Sequence, residues 1–173
     1  VGFGSSGNGT EGAETARGVL RGGTNVVDAY YDPGTGNLSN SSESNYTTIV
    51  ADFDDGTIAN NTLALYGSSA TPTSLECGLA GGDSGGGVFA NIAGSTVLIG
   101  INDFNGPGNF GSNTQYGAIL GATRVSSYAS WIDSEVPEPG SAGLAAGAVA
   151  GLLAGARRLR ISGLKVRRRA GAG

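Results

Sequence analysis

The residues best placed to do chemistry are Gly82-Asp83-Ser84-Gly85-Gly86, inside a longer stretch from Glu76 to Phe89. A serine hydroxyl is a weak nucleophile and acts only where a base can reach it. Flanking glycines let the backbone turn tightly and bring N–H groups close to a substrate carbonyl. The spacing therefore suits acyl transfer through Ser84. It also fits the G-x-S-x-G turn of α/β-hydrolases, which requires a strand before the serine and a helix after it. Here Gly87 and a β-type run follow, Val88-Phe89-Ala90, with no helical period.

Three segments in order carry a resemblance to chymotrypsin-like serine proteases. The first is the Ser84 loop. The second is the strand pair it leads into, Val88-Phe89-Ala90 and Thr96-Val97-Leu98-Ile99-Gly100-Ile101. The third is Thr123 to Ile132, a last strand running into a C-terminal helix. Val1-Gly2-Phe3-Gly4 resembles the glycine-aromatic-glycine strand that opens that family's second barrel. The implied fold is all-β: the second β-barrel of a chymotrypsin-like double barrel over residues 1–133, with a short C-terminal helix.

The resemblance makes Ser84 the nucleophile and the N–H groups of Gly82 and Ser84 the oxyanion hole. It gives Asp83 the role of shaping the loop. The specificity position falls on Gly78, which carries no charge and so disfavours selection of Arg or Lys. The substrate-binding strand falls on Asp103-Phe104-Asn105, a departure from the family's Ser-Trp-Gly, with Phe104 available as an aromatic wall. The implied partner is a peptide or protein substrate, without cofactor or metal.

The family's base is a histidine oriented by an aspartate, and the sequence contains no histidine. The only lysine, Lys165, lies in the tail. In the family both missing members precede the strand that Val1 begins. Two readings stay open. The chain is the C-terminal part of a secreted or surface serine endopeptidase, inactive alone. Alternatively it is a non-catalytic surface or binding module of the same fold.

Composition agrees with a β protein. The chain has 173 residues, 33 of them glycine, with 39% apolar and only 14% charged residues. Such a composition favours loop-rich sheet over helix. Cys77 is alone, so no disulfide closes within the chain, and it reads as a small buried hydrophobe. Residues 1–138 hold all 14 acidic residues against Arg17, Arg21 and Arg124, a charge of −11. Residues 139–173 hold six arginines and Lys165, a charge of +7. An acidic body offers no nucleic-acid patch.

Along the body, short β-branched runs between Ala13 and Tyr31 predict two strands, and Thr48 to Phe53 another. Gly36 to Tyr46 reads as a polar loop and Asp54-Asp55-Gly56 as a solvated acidic turn. Asn60 to Tyr66 reads as a further apolar run.

The tail, residues 134–173, is a separate unit. Pro137-Glu138-Pro139 precedes Gly140 to Ala156, seventeen residues without a charge, and then Arg157, Arg158 and Arg160. This order resembles the PEP-CTERM sorting signal. It implies an exosortase-type processing enzyme as partner and a hydrophobic transmembrane helix as a transient anchor. It also implies an exported protein of the cell envelope or extracellular space. The span is at the short end of the roughly 17–25 residues a membrane helix needs.

Overall fold

A computed structural model describes residues 1–107 and 113–136. The tail motif, its arginines and the expected membrane helix lie outside these. Among the described residues no helix is long and apolar enough to cross a membrane. One compact unit spans Val1–Tyr128, and residues from Ala129 onward belong to a second.

The first unit is built on sheet. β1 (Ser6–Asn8) and β2 (Gly12–Thr15) form a small antiparallel hairpin. The main sheet has β3 (Ala29–Asp32), β4 (Asn37–Ser39), β5 (Thr48–Asp52), β6 (Gly87–Ile92), β7 (Ser95–Gly106) and β8 (Ile119–Arg124). All its pairings are antiparallel, in the order β4-β3-β5-β8-β7-β6. The all-β expectation holds.

β5 is the central strand. Thr48, Ile49 and Val50 are β-branched residues that suit a pleated backbone, and all five residues of the strand are buried. Around it the buried apolar side chains are mostly small: Ala29, Ala51, Ala118 and Ala122 accompany Ile49, Val50 and Leu63. The expected pair β6–β7 forms as a hairpin, with Phe89 opposite Leu98 and Ile92 opposite Ser95. β8 starts at Ile119, earlier than the sequence suggests. A 3-10 turn, Val125–Tyr128, follows it.

Two expectations are corrected. The polar loop at 36–46 contains β4, because Asp32 organises its turn. The Asp32 carboxylate accepts from Gly34 N (2.8 Å), Thr35 Oγ1 (2.8 Å) and Asn45 Nδ2 (2.9 Å). The apolar run at 60–66 makes a 3-10 turn at Ala64–Tyr66, with Leu63 buried and Leu65 exposed. The acidic turn is not solvated at Asp54, which is 5% exposed.

In the second unit, α1 (Ala129–Glu135) is a short helix whose Ser134 Oγ donates to Trp131 O at 2.7 Å.

The β6–β7 turn is Ala93-Gly94, with φ of 51° and 84°. Two-residue hairpins need positive φ at both central positions, which favours Asn-Gly. Alanine there carries a cost of about 1–2 kcal/mol. Ala93→Asn is therefore expected to raise unfolding free energy by about 1 kcal/mol, read by urea denaturation. An unchanged midpoint would refute the strained-turn account.

Candidate functional site

The Ser84 loop is held by a carboxylate. Asp83 Oδ1 accepts from Gly4 N at 2.7 Å, and Oδ2 accepts from Ala80 N at 3.0 Å. Ser5 N donates to Gly81 O at 3.1 Å beside them. The first segment can approach this closely because it lacks side chains at two positions. A Cβ on Gly2 would stand 2.0 Å from Asp83 Oδ1, and one on Gly4 would stand 2.6 Å from Asp83 Cγ. The glycine-aromatic-glycine pattern and the Gly-Asp-Ser turn are thus two halves of one structure.

β7 holds the turn from the other side. Gly85 N donates to Asn102 O and Asn102 N to Gly86 O, both at 2.8 Å. The Asn102 side chain, 4% exposed, donates through Nδ2 to Val1 O (3.2 Å) and to Asp83 O (3.3 Å). Within the turn, Asp83 N donates to Ala80 O and Gly86 N to Asp83 O. Gly82 adopts φ of 101°, a conformation glycine takes without strain.

Ser84 is exposed, and its Oγ donates to Asp103 O at 3.4 Å. Among the described residues no acceptor meets the N–H of Gly82 or of Ser84. Two free backbone donors flanking an exposed hydroxyl are the parts from which an oxyanion-binding turn is made. Arg17 lies against this turn. A Cβ on Gly81 would stand 2.9 Å from its Nη2, and one on Gly82 would stand 2.9 Å from its Cδ.

The residues expected to bind substrate separate into two places. Asp103 is the bulged residue of β7, between Asn102 opposite Ala122 and Phe104 opposite Gly121. The bulge sets it beside Ser84. Asn105 Nδ2 donates to Leu79 O (2.9 Å) and Asn113 O (2.8 Å) and so ties β7 to the loop. Phe104 packs edge-on against Tyr31, ring centres 5.9 Å apart, and its ring covers Gly121. The aromatic neighbour of Gly78 is Phe53, whose ring would lie 3.1 Å from a Cβ there. Phe53 in turn packs on Tyr116, with ring centres 4.7 Å apart. A cavity of about 350 Å³ opens beside them and is also lined by Leu79, Ala80 and Asp83. Phe53 and Tyr116 were not legible as pocket residues, since they lie 25 and 38 residues from Gly78 in sequence, on opposite sides of it, and come to it only in tertiary space.

Beneath the start of the loop sits an acidic group: Asp28, Asp52, Asp54 and Glu76. Asp52 is fully buried and accepts from Leu63 N (2.8 Å) and Ser68 Oγ (3.1 Å). Asn25 Nδ2 links it to the Glu76–Phe89 stretch, donating to Asp52 O (2.8 Å) and Cys77 O (3.0 Å). Asp54 Oδ1 and Glu76 Oε1 are buried without a partner among the described residues. Burial, followed by the charges of Asp52, Glu76, Asp28 and Asp55, pushes Asp54 up to about 7. Burial and the Asp52 charge push Asp28 up to about 6. Burial likewise raises the Cys77 thiol above its usual range. Among the described residues no three His, Cys, Asp or Glu side chains are grouped to hold a metal ion.

Comparison with protein-family models, with curated proteins and with solved structures returns no match.

Two outcomes follow from this geometry. Asp83→Ala removes a charged acceptor from two backbone donors, and hydrogen bonds to charged groups contribute about 1.5–3 kcal/mol each. Amide exchange at Gly4 and Ala80 should accelerate more than at β5. Equal acceleration everywhere would mean that Asp83 holds no local structure. The second outcome concerns pH. The folded chain binds protons at Asp54 and Asp28 that the unfolded chain has released, so stability falls as pH rises. The fall should run from about pH 4 to about pH 7, the interval between the unfolded value and Asp54's folded value. Asp54→Asn should flatten it and melt higher than the parent at pH 8. A parent whose melting temperature rises steadily from pH 5 to 8 would exclude this.

Proposed function

We propose that the chain carries the nucleophile half of a serine endopeptidase, with the second barrel of a chymotrypsin-like protease as its fold. Ser84 would attack the scissile carbonyl, and the N–H groups of Gly82 and Ser84 would bind the resulting oxyanion. The observation that carries this reading is the Asp83-anchored turn, which leaves Ser84 Oγ exposed between two unengaged N–H donors. Asp103 to Asn105, beside Ser84, would receive the peptide backbone. Gly78, backed by Phe53 and Tyr116, would receive an uncharged side chain. Arg17 would add positive charge next to the developing oxyanion.

The sequence lacks a histidine, so the general base would come from another polypeptide segment. Closure of the barrel is supported by a ladder outside the named strands. Val1–Phe3 bonds Gly18 and Arg21 on one side, and the Val1 ammonium reaches Gly87 O on the other. The tail would sort the protein to the cell envelope or beyond, through transient membrane insertion and an exosortase-type processing enzyme. The missing histidine favours a second reading, a non-catalytic binding module built on the same turn.

Exogenous imidazole separates the two. With imidazole standing in for the absent base, hydrolysis of an apolar amino-acid p-nitrophenyl ester should exceed the imidazole background. Ser84→Ala should return it to background. Without imidazole the chain should show no protease-level turnover. Imidazole-stimulated hydrolysis that is identical in parent and Ser84→Ala would overturn the enzyme reading and leave the binding module.

A further inference from the structure

The three described arginines are used differently. Arg124 donates to Ser127 Oγ (2.8 Å), Ser42 O (3.1 Å) and Glu43 O (3.3 Å) and stacks over the Tyr30 ring. Arg21 Nη1 donates to Val19 O at 3.4 Å. Arg17, which is exposed, has no hydrogen-bond or ion-pair partner among the described residues. Its side chain nonetheless has a defined place. A Cβ on Gly82 would stand 2.9 Å from its Cδ and 3.2 Å from its Nε, and one on Gly81 would stand 2.9 Å from its Nη2. The side chain therefore crosses two consecutive glycines, with its guanidinium at Gly81. The backbone beside it is tied down, since Gly18 N donates to Phe3 O at 2.8 Å. A guanidinium carries five N–H donors in a planar fork that fits a carboxylate.

The Ser84 turn has two sides. Ser84 faces β7, where its Oγ donates to Asp103 O and Gly85 N donates to Asn102 O. Gly82 faces the opening segment and Arg17: its Cβ would stand 3.2 Å from Gly4 Cα. A peptide lying along Asp103–Asn105, with its scissile carbonyl at the N–H groups of Gly82 and Ser84, continues past Gly81–Gly82. At about 3.3 Å per residue of extended chain, its next one or two residues come within reach of Arg17. Asp103 is exposed on the β7 side and repels an acid placed before the carbonyl.

We propose that Arg17 is a specificity-determining residue that binds an aspartate or glutamate side chain within the first two residues after the scissile bond. The site then takes peptides with an uncharged residue before that bond and an acid after it. Gly81 and Gly82 are what allow this, because any side chain there would collide with the arginine. The proposal rests on the peptide path given above for the serine site. It concerns binding, so its test needs no general base.

The full chain is titrated with acetyl-Ala-Ala-Leu-Glu-Glu-Ala-amide and with its Gln-Gln counterpart, following the amide resonances of Gly81, Gly82 and Ser84. The Glu-Glu peptide should bind about fivefold tighter, the scale of a solvent-exposed ion pair, and high salt should shrink the advantage. Arg17→Gln should erase the difference. Arg17→Lys should keep part of it, since lysine retains the charge without the fork. The basic tail is the same in parent and variants, so its attraction for acids cancels in the comparison. Acetyl-Glu-Glu-Leu-Ala-Ala-amide, with its acids before the leucine, should gain nothing over its own Gln-Gln counterpart. Three results overturn the proposal alone: equal binding of the first two peptides, a preference that survives in Arg17→Gln, or an equal preference for acids before the leucine. No binding of any peptide, or binding that leaves the Gly81, Gly82 and Ser84 amides unshifted, overturns the peptide path itself and the proposal with it.

Discussion

The carboxylate of Asp83 is the tie on which the candidate site depends. It joins Gly4 to Ala80, positions 76 residues apart in sequence, through two charge-assisted bonds. Without that tie, a turn of five residues with three glycines would have little reason to keep one conformation, since glycine loses more freedom on ordering than any other residue. The anion replaces the side-chain packing that the glycines cannot supply. The same absence of side chains at Gly2 and Gly4 is what lets the backbone come within bonding distance of the carboxylate. Ser84 is thereby fixed without being buried.

The rest of the unit supplies a frame more than a dense interior. Its buried apolar residues are few and mostly alanine, and two cavities border the frame. Voids forfeit dispersion contacts on their lining atoms, so much of the order near the site rests on hydrogen bonds. Asn102 illustrates this. Its backbone pairs with Gly85 and Gly86, and its buried amide reaches Val1 O and Asp83 O. One residue of β7 thus connects the opening segment, the Ser84 turn and the main sheet.

The acidic group under the loop acts in the opposite sense. Desolvation and mutual repulsion raise Asp54 and Asp28, so their ionisation opposes folding near neutral pH. Their connection to the site is structural. Asn25 bonds both Asp52 O and Cys77 O, and Glu76 opens the stretch that carries Ser84. Local electrostatic cost and site geometry therefore share a boundary. Buried acceptors without partners are uncommon in folded proteins, which sets this corner apart from the well-bonded turn above it.

The sequence by itself determined the β class, the β6–β7 hairpin and the identity of the glycine-rich turn. Each of these follows from local chemistry: period-two patterning, turn residues, and a serine that only glycine neighbours would leave accessible. It also placed Asp83 in the loop. Tertiary structure alone decided what Asp83 bonds, because Gly4 and Ala80 meet it through a long-range approach that no local pattern encodes. It decided that Phe53 and Tyr116, not Phe104, stand beside Gly78, since a bulge at Asp103 and the pairing of β7 with β8 set which way each aromatic lies. It decided as well that Asp54 is buried. An Asp-Asp-Gly segment reads as solvated turn in one dimension, and only the packing of distant carboxylates around it makes it an interior group.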